Sequence, residues 1–551
     1  RGEGGSNALD LPDDYMGGKD LLDPVTATTP PAFPAKVEKI RVPYPPESEL
    51  SGIARGGDTC LWYKRSFSVP QAWKGRHVLL NFGAVDRISS VFVNGKKVGT
   101  HTGGYDAFSL NITDYLKSGE NVLVVGAYDP NDGRAASGKN GSRGDYIFTS
   151  GIWQTVWLEP VEKQYISQIK LVPDLKNNRL EVIAYTEDKE LKVTAIADNG
   201  TSEVARTEGN SNMSFYLPIR EPRLWSPDDP FLYGLKLQLK DRKGEVSSYF
   251  GMRSVSMGKV DGVLRPLLNG EFVFHIGLLD QGYWPDGAFT APTDKALLYD
   301  IELAKRAGFN VIRKHIKVEP QRWYYHCDRL GLMVWQDMPN LWEPDGEDSV
   351  AVRKQFRDEL KVMIDQHVSS PSIVMWVPFN ENWGAFEATD ITAWVKKYDP
   401  NRWVNGMSGY NYAPGYRKAY GDPRNGDFVD MHHYGKIEPK AIPRPDDKRA
   451  ASLGEFGGKG LFVRGHMWPV RNDAYEMMLN REVLTDTYVL MLTELEQMIN
   501  YFGLSTAIYT QTTDVEHEIN GLVTYDRKVE KMDLEKVKYI NQEVIRCTRK
   551  K

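Results

Sequence analysis

The sequence predicts a multidomain chain in which a jelly-roll β-sandwich and an immunoglobulin-like β-sandwich precede a C-terminal (β/α)8 TIM barrel. Short β-branched runs punctuated by Gly, Pro and Asn fill residues 36–258, which is typical of sandwiches. From residue 259 onward, eight short apolar runs alternate with helical patterns, which predicts parallel βα units that close into a barrel. A doubly wound open sheet is disfavoured, because no glycine-rich nucleotide loop follows the first of these strands.

The first domain is expected over residues 1–160. Residues 1–35 are rich in Pro, Gly and Asp, so we predict an extended arm there rather than core. Asn94 and Gly95 lie between two β-branched runs and predict a hairpin turn, because both residues tolerate positive φ. The strand patterns of this domain are LWYKRSFSVP, HVLLNFGAVD, SSVFVNGKKVGTH, NVLVVGAYD and GIWQTVWLEP.

The second domain is expected over residues 161–258 and the barrel over residues 259–551. The patterns ISQIKLVPDL, RLEVIAYTE, LKVTAIAD, FLYGLKLQLK and EVSSYFGMRSV suit a small immunoglobulin-like sandwich. The eight barrel strand patterns are FVFHIGLLD, NVIRKHI, LMVWQDMP, IVMWVPFNENW, RWVNGMSG, FVDMHHYG, AASLGEFGG and LSTAIYTQTTD.

Composition excludes several classes of protein. The 551 residues are 41% hydrophobic and 26% charged, which is ordinary for a folded domain and excludes a disordered or coiled-coil chain. A formal net charge of −5 gives no electrostatic reason to expect nucleic acid or an anionic membrane as a partner. No run approaches the roughly 18–20 apolar residues that span a bilayer.

The three cysteines are widely spaced and form no CxxC pair, so neither a disulfide framework nor a structural zinc site is expected. The chain begins RGEGGS without Met or an apolar targeting segment, which we interpret as a processed N-terminus.

Two carboxylates stand where apolar barrel strands end. Glu381 follows the fourth strand pattern in IVMWVPFNENWG, and Glu455 ends the seventh in AASLGEFGG. Reacting groups of a barrel lie at the carboxyl ends of its strands, and the fourth and seventh strands face each other across it. Two carboxylates about 5–5.5 Å apart are the apparatus of a retaining glycosidase, in which one is acid and base and the other is the nucleophile. For either glutamate alone, a helix-cap partner or a surface charge is the more frequent role.

Several segments together resemble glycoside hydrolase family 2, the family of β-galactosidases, β-glucuronidases and β-mannosidases. These are VPYPPESELSGI, FGAVDRISSVFVNGKKVGTHTGGYDAFSLNIT, TSGIWQTVWLEPV, LWSPDDPFLY, the NEN around Glu381 and the GEFG around Glu455. The resemblance implies a sugar-binding-like jelly roll, an immunoglobulin-like domain and a catalytic barrel. It also implies that Glu381 is the acid/base and Glu455 the nucleophile.

Three further residues match the family's motifs. Asn380 matches the Asn beside the acid, which implies a hydrogen bond to the sugar 2-hydroxyl. Arg313 matches a barrel arginine that orients the nucleophile. Tyr434 in MHHYG resembles the tyrosine that donates to the nucleophile.

Other candidates for substrate binding depend on position at the predicted mouth of the barrel. Only one of His432 and His433 can point inward, and a metal bound by this pair is disfavoured because no third ligand is suitably spaced. For each aromatic residue among these candidates, packing is an equal alternative to sugar stacking. The candidates are Asp280, Gln281, Tyr283, Trp284, Asp337, His432, Trp342, Trp383 and Trp468.

Two departures from the family bear on the sugar. The first barrel loop reads HIGLLDQGYW rather than the basic RGxNxH pattern of well-known β-galactosidases and β-glucuronidases. The barrel also lacks the Asn-x-Lys motif with which the family binds a uronic acid, although Lys314 or Arg464 could replace it. We therefore expect a β-galactoside as substrate, with β-glucuronidase or another β-glycosidase of the family as the alternative.

The sequence thus predicts a retaining exo-β-glycosidase that acts on an oligosaccharide or polysaccharide and needs no cofactor or metal. A non-catalytic carbohydrate-binding protein and a surface interaction scaffold are the alternatives from other classes. The sequence is compatible with a homo-oligomer. By analogy with the family we expect a periplasmic or secreted bacterial protein, with a cytoplasmic location as the alternative.

Overall fold

The structure, a computed structural model, describes residues 12–140, 146–187, 190–242, 244–342, 344–346, 348–412 and 420–548. Within these ranges the chain divides into two units. The first unit takes in the chain up to residue 163 together with 283–293 and 345–359. The second takes in 164–282, 294–344 and the chain from 360 onward.

The first unit is built on a β-sandwich. Its six-stranded sheet has the order β2-β1-β3-β9-β6-β7, and a second sheet has the order β11-β4-β8. Tyr63 and Val125 of the larger sheet share one apolar core with Leu80 of the smaller sheet. The strands are β1 (Asp13–Gly18), β2 (Glu38–Ile40), β3 (Cys60–Ser68), β4 (His77–Phe82), β5 (Val85–Asp86), β6 (Ile88–Val93), β7 (Lys96–Thr102), β8 (Phe108–Asn111), β9 (Glu120–Tyr128), β10 (Gly151–Ile152) and β11 (Val156–Val161).

Strand β1 corrects the prediction of an extended arm over residues 1–35. Asp13–Gly18 pairs antiparallel with both β2 and β3, so the prediction is wrong over these six residues. Tyr15 is 1% exposed and packs in the sandwich core. Met16 packs against a second apolar cluster that contains Trp62. Acidic and glycine residues surround Tyr15 and Met16, so composition favoured a loop although these two side chains and the paired backbone suffice for a strand.

The immunoglobulin-like sandwich opens the second unit. Its sheets have the orders β12-β13-β16 and β15-β14-β17-β18. Side chains of β13, β14 and β17 alternate between buried and more exposed positions, as expected for a sheet with one face in the core. The strands are β12 (Gln168–Asp174), β13 (Arg179–Tyr185), β14 (Lys192–Asp198), β15 (Glu203–Asn210), β16 (Phe215–Pro218), β17 (Tyr233–Leu239) and β18 (Glu245–Phe250).

A parallel barrel completes this unit, and each of the eight predicted strand patterns contributes one of its strands. An antiparallel sheet precedes it, formed by β19 (Val255–Val260), β20 (Val263–Leu268) and β21 (Glu271–Phe272). The remaining elements are β22 (His275–Asp280), α1 (Asp294–Arg306), β23 (Val311–Lys314), α2 (Gln321–Leu330), β24 (Met333–Asp337), α3 (Ser349–His367), β25 (Ile373–Val377), α4 (Ala388–Tyr398), β26 (Trp403–Val404), β27 (Phe428–His433), β28 (Ala450–Gly457), β29 (Lys459–Gly460), β30 (Glu476–Met477), α5 (Arg481–Phe502), β31 (Leu504–Thr510) and α6 (Leu534–Cys547).

The barrel is nearly closed and confirms the predicted fold class. Its strand order is β26-β25-β24-β23-β22-β31-β28-β27. Strands β23, β24, β25 and β31 are buried at every position, because helices cover the outside and side chains fill the inside. None of the helices in the described part of the chain has the length and apolar content to cross a bilayer.

The amino-terminal end of the barrel, here called the bottom, is joined to the immunoglobulin-like sandwich. Trp225 of the sandwich packs in one apolar cluster with Trp335 and Trp403, and its Nε1 donates to the Asp328 carbonyl at 2.7 Å. Arg253 is 2% exposed and donates to backbone carbonyls of the barrel. Its acceptors are Pro371 at 3.0 Å, Ile373 at 2.8 Å and Asn401 at 2.8 Å.

Candidate active site

The carboxyl ends of the barrel strands, here called the mouth, bring Glu381 and Glu455 together. Glu381 follows β25 and Glu455 lies in β28, and each is 4% exposed. An oxygen of one carboxylate lies within 4.8 Å of an oxygen of the other. That spacing suits a nucleophile and an acid/base acting on one anomeric carbon, since inverting enzymes separate the two carboxyl groups by about 6.5–9.5 Å.

A strained turn presents Glu381 to the mouth. Glu381 has φ of 47° and Asn382 has φ of 61°, a left-handed conformation that costs non-glycine residues about 1–3 kcal/mol each. The Glu381 N–H donates to the Ser408 carbonyl at 2.8 Å, which fixes the turn on the loop after β26. The unfavourable backbone conformation thus directs this carboxylate inward rather than along the strand.

Arg313 connects three polar groups of the mouth. It lies in β23 with no exposed surface and donates to Asp337 at 2.9 Å, to Asn380 Oδ1 at 2.8 Å and to Glu455 Oε1 at 3.2 Å. Burial raises the pKa of the Glu455 carboxyl, but its basic neighbours and the Tyr434 hydrogen bond outweigh burial and hold that pKa below its ordinary value. The basic neighbours are His432, His315 and Arg313.

The side-chain amide of Asn380 has its oxygen in a hydrogen bond and its nitrogen available. Its Oδ1 accepts from Arg313, which leaves Nδ2 without a hydrogen-bond partner among the described residues. Asn380 is 1% exposed, and an unsatisfied buried N–H group costs about 1–3 kcal/mol. A sugar hydroxyl placed between the two carboxylates would satisfy this donor.

Tyr434 donates its hydroxyl to Glu455 Oε2. Burial and the Glu455 charge raise the pKa of Tyr434 well above its ordinary value, so the phenol keeps its proton and acts as a donor. The Tyr475 ring stacks on Tyr434 with centroids 3.4 Å apart and planes 6° apart. Because Tyr475 is 49% exposed, its ring forms part of the open wall of the mouth.

His432 is the histidine of the pair that faces inward. Its Nδ1 lies 2.6 Å from Glu381 Oε1 and 3.6 Å from Glu455 Oε1, and its Nε2 lies 2.9 Å from Ser408 Oγ. Both ring nitrogens therefore contact protein groups. His433 is turned the other way, with its Nε2 2.9 Å from the Lys436 carbonyl.

The side chains of Glu381, His432 and Glu455 have the composition of a metal site but not its spacing. Donor atoms of Glu381, His432 and Glu455 lie within 4.8 Å of one another. Two ligands of one tetrahedral ion at about 2.1 Å lie about 3.4 Å apart. The 2.6 Å contact between His432 and Glu381 is much shorter, so we assign it as a hydrogen bond.

Asp280 ends β22 and Gln281 follows it, beside two buried lysines. Asp280 accepts from Lys314 Nζ at 2.7 Å, and Gln281 Nε2 lies 2.7 Å from Gln511 Oε1 and 3.2 Å from Glu518. Lys314 also donates to Glu319, as does Lys317, both at 2.9 Å. The two lysine charges in this corner are thus balanced by carboxylates of the protein itself.

The predicted aromatic residues fall in different places. Trp383 stacks on Trp342 with ring centroids 5.3 Å apart, and Trp468 packs against Tyr525. Trp284 is 7% exposed and, like Tyr283, lies in the first unit, whereas both carboxylates lie in the second.

Sequence reasoning missed other groups of this site. Asp430 stands two positions before His432 on β27, so strand alternation alone could have placed it on the same face. Ser408 and Tyr475 come from loops, and no spacing signal indicated them. His315, whose Nδ1 lies 2.9 Å from Asp337 Oδ2, stands only two positions after Arg313.

Sequence comparison matches three profiles of one family in chain order. Residues 30–160 match "Glycosyl hydrolases family 2, sugar binding domain", residues 154–253 match "Glycosyl hydrolases family 2", and residues 290–417 match its "TIM barrel domain".

Curated relatives and solved structures agree with these matches. A putative beta-glucuronidase of Formosa agariphila is 30% identical over 60% of this chain and 40% of its own length. A beta-galactosidase of Thermoanaerobacter pseudethanolicus is 29% identical over 58% of this chain and 44% of its own. These matches thus span less than half of either relative. The beta-D-glucuronidase structure from Dictyoglomus thermophilum shares the fold, with a TM-score of 0.74, 18% identity and 97% coverage of both chains.

Proposed function

Since the chain belongs to glycosyl hydrolase family 2, we propose that it is a retaining exo-β-glycosidase that removes a terminal β-linked sugar by double displacement. The observation that carries this proposal is the close approach of two buried carboxylates, within 4.8 Å, at the mouth of the barrel. The available amide of Asn380 beside them supports a bound hydroxyl at the same place.

In the first step, Glu381 gives a proton to the glycosidic oxygen while the bond between that oxygen and the anomeric carbon breaks. The electron pair of the breaking bond leaves with the oxygen, and Glu455 forms a new bond to the anomeric carbon. Arg313 and the Tyr434 hydroxyl hold the attacking carboxylate, each on a different oxygen.

In the second step, Glu381 takes a proton from water, and the water oxygen attacks the anomeric carbon. The bond to Glu455 breaks, and the nucleophile returns to the carboxylate form that Arg313 stabilises. Two inversions at the same carbon retain the β configuration.

For the sugar we propose a neutral glycone, with galactose first. Lys314 and Lys317 already pair with Asp280 and Glu319, so a sugar carboxylate would have to compete for them. Glu518, which lies against Gln281, adds a further negative charge in this corner. A β-uronide is the second candidate, because the Formosa and Dictyoglomus proteins carry the name glucuronidase.

The test is hydrolysis of p-nitrophenyl β-galactoside, β-glucuronide, β-mannoside, β-glucoside and α-L-arabinopyranoside by the wild type and Glu455→Gln. We expect the β-galactoside to respond and the variant to be silent. Response to the β-glucuronide alone would replace the proposed glycone and keep the mechanism. Sugar binding by calorimetry without turnover of the panel or of oligosaccharides would contradict the enzyme and favour a binding protein.

A further inference from the structure

A chain of hydrogen bonds runs beneath the proposed acid/base. The Ser408 hydroxyl donates to Asp430 Oδ2 at 2.9 Å, and Asp430 Oδ1 accepts from the Gly454 N–H at 2.7 Å. His432 Nε2 lies 2.9 Å from Ser408 Oγ, and His432 Nδ1 lies 2.6 Å from Glu381 Oε1. Asp430, Ser408, His432 and Glu381 are thus connected in one line, and each is at most 4% exposed.

The direction of these bonds determines where protons sit. A hydroxyl has one hydrogen, and Ser408 gives it to Asp430, so the contact with His432 requires that Nε2 carries the hydrogen. The remaining nitrogen, Nδ1, faces Glu381. It then either accepts a hydrogen from the protonated carboxyl group or, as imidazolium, donates one to the carboxylate. Both arrangements contain one proton between Nδ1 and Oε1.

We propose that His432 is a positioning residue for Glu381, with which it holds one ionisable proton in common, so that the acid is aimed and protonated when the leaving group departs. This inference rests on the proposed function and adds a residue to it. The imidazole gains no bond to sugar in either step. It acts only through the carboxyl group that gives and then takes the proton.

Charged groups surround the ring from several elements. Burial alone disfavours the imidazolium, but the Glu455 and Glu381 carboxylates outweigh burial and raise the pKa of His432 above its ordinary value. The charged groups that interact with the ring are Glu455 of β28, Glu381 of the loop after β25, Asp430 of its own strand and Asp337 of β24. Arg313, Tyr434 and His315 act on Glu455 beside it.

Two consequences follow for the pH dependence of the reaction. A proton shared by two bases is held to higher pH than either base alone would hold it, so removal of His432 moves the alkaline limb of kcat/KM to lower pH. Loss of the imidazolium also removes a cation 3.6 Å from Glu455, which raises the pKa of the nucleophile and moves the acidic limb to higher pH. The bell-shaped pH profile of kcat/KM should therefore become narrower on both its acidic and its alkaline side.

The experiment compares kcat/KM from pH 4 to pH 9 for the wild type, His432→Asn and His433→Asn on the responding p-nitrophenyl glycoside. The asparagine amide in His432→Asn keeps a polar atom near the Nδ1 position but does not titrate. We expect the alkaline limb of this variant to fall by about one pH unit, with a smaller rise of the acidic limb. The deficit should also grow as the leaving group becomes more basic. His433→Asn, the matched control at the outward-facing neighbour, should keep the wild-type profile.

Folding is checked by the thermal unfolding midpoint of each variant. An active His432→Asn enzyme with wild-type limbs and no dependence on the leaving group would overturn the inference while leaving the glycosidase intact. A wild type that is silent on the panel and on oligosaccharides would instead contradict the proposed function.

A second measurement does not need turnover. Histidine-labelled protein is titrated by nitrogen NMR, and the resonance of His432 is assigned by its loss in His432→Asn. We expect its titration midpoint to fall in Glu381→Gln. A midpoint unchanged by that substitution would overturn the shared proton.

Discussion

Two buried histidines show how the two ends of one barrel differ. His275 begins β22 at the bottom, and burial lowers its pKa to about 3. His432 lies near the end of β27 at the mouth, where Glu455 and Glu381 overcome the same burial and raise its pKa. The rings are 1% and 2% exposed, respectively. Neighbouring charge rather than depth therefore decides in which direction the pKa of each ring is shifted.

The bottom is built for stability and the mouth for reactivity. Around His275 stand the rings of Trp335 and Trp403, and the Trp335 N–H donates to Nδ1 at 3.3 Å. Around His432 stand carboxylates that are costly to bury, and Arg313 pairs with two carboxylates at this end of the barrel, Asp337 and Glu455. Substitutions at the mouth should therefore change rates, and those at the bottom should change the free energy of unfolding.

The largest effect is expected for Glu455→Gln. Without a nucleophile, kcat should fall by at least about a thousandfold on every substrate, because no glycosyl-enzyme can form. Thermal unfolding should change little. The measurement is initial rate against substrate concentration, with Glu482→Gln on the exposed start of α5 as the matched control. Retention of more than a few per cent of activity would assign the nucleophile elsewhere.

Glu381→Ala should show an effect that depends on the leaving group. For alkyl or sugar leaving groups we expect a loss of about 10²–10⁴-fold, because departure needs protonation. For dinitrophenyl glycosides the first step should be nearly unaffected. Azide, which needs no general base, should restore turnover and yield a β-glycosyl azide. Equal losses for both classes of leaving group would exclude this role.

The Trp225→Ala variant tests how much the bottom of the barrel contributes to stability. The ring is fully buried and its N–H is bonded, so we expect a loss of about 3–5 kcal/mol in the free energy of unfolding. The rate per folded molecule should stay at the wild-type value. Urea unfolding followed by tryptophan fluorescence gives the first quantity and active-site titration the second. Trp225→Phe, which keeps most of the packing, should lose less than half as much.

The smallest effect is the pH dependence contributed by His275. Between pH 6.5 and about pH 3 the unfolded chain binds a proton at this residue that the folded chain does not bind, so stability falls as pH falls. From pH 7 to pH 5 this amounts to about 2 kcal/mol. His275→Asn should lack that part of the decline in urea unfolding at the two pH values. Parallel declines for variant and wild type would contradict the neutral, buried imidazole.

Sequence patterns predicted the barrel better than the groups that complete its site. The barrel strands are buried on both faces and appear as continuous apolar runs, so Glu381 and Glu455 could be located where those runs end. Strand β1 was missed because only Tyr15 and Met16 make its core contacts, between acidic and glycine residues. The contact between His432 and Glu381 could not be predicted, because it depends on a left-handed turn and on a loop serine that contacts it from another βα unit.

The Arg253 contacts have a consequence for how such chains can be recombined. A crossover placed between the sandwich and the barrel would separate this guanidinium from the three carbonyls it satisfies, and Trp225 from its aromatic neighbours. Chimeras that exchange the barrel alone should therefore express poorly unless the donor brings its own sandwich. We therefore expect the immunoglobulin-like domain and the barrel of this chain to be exchangeable only together.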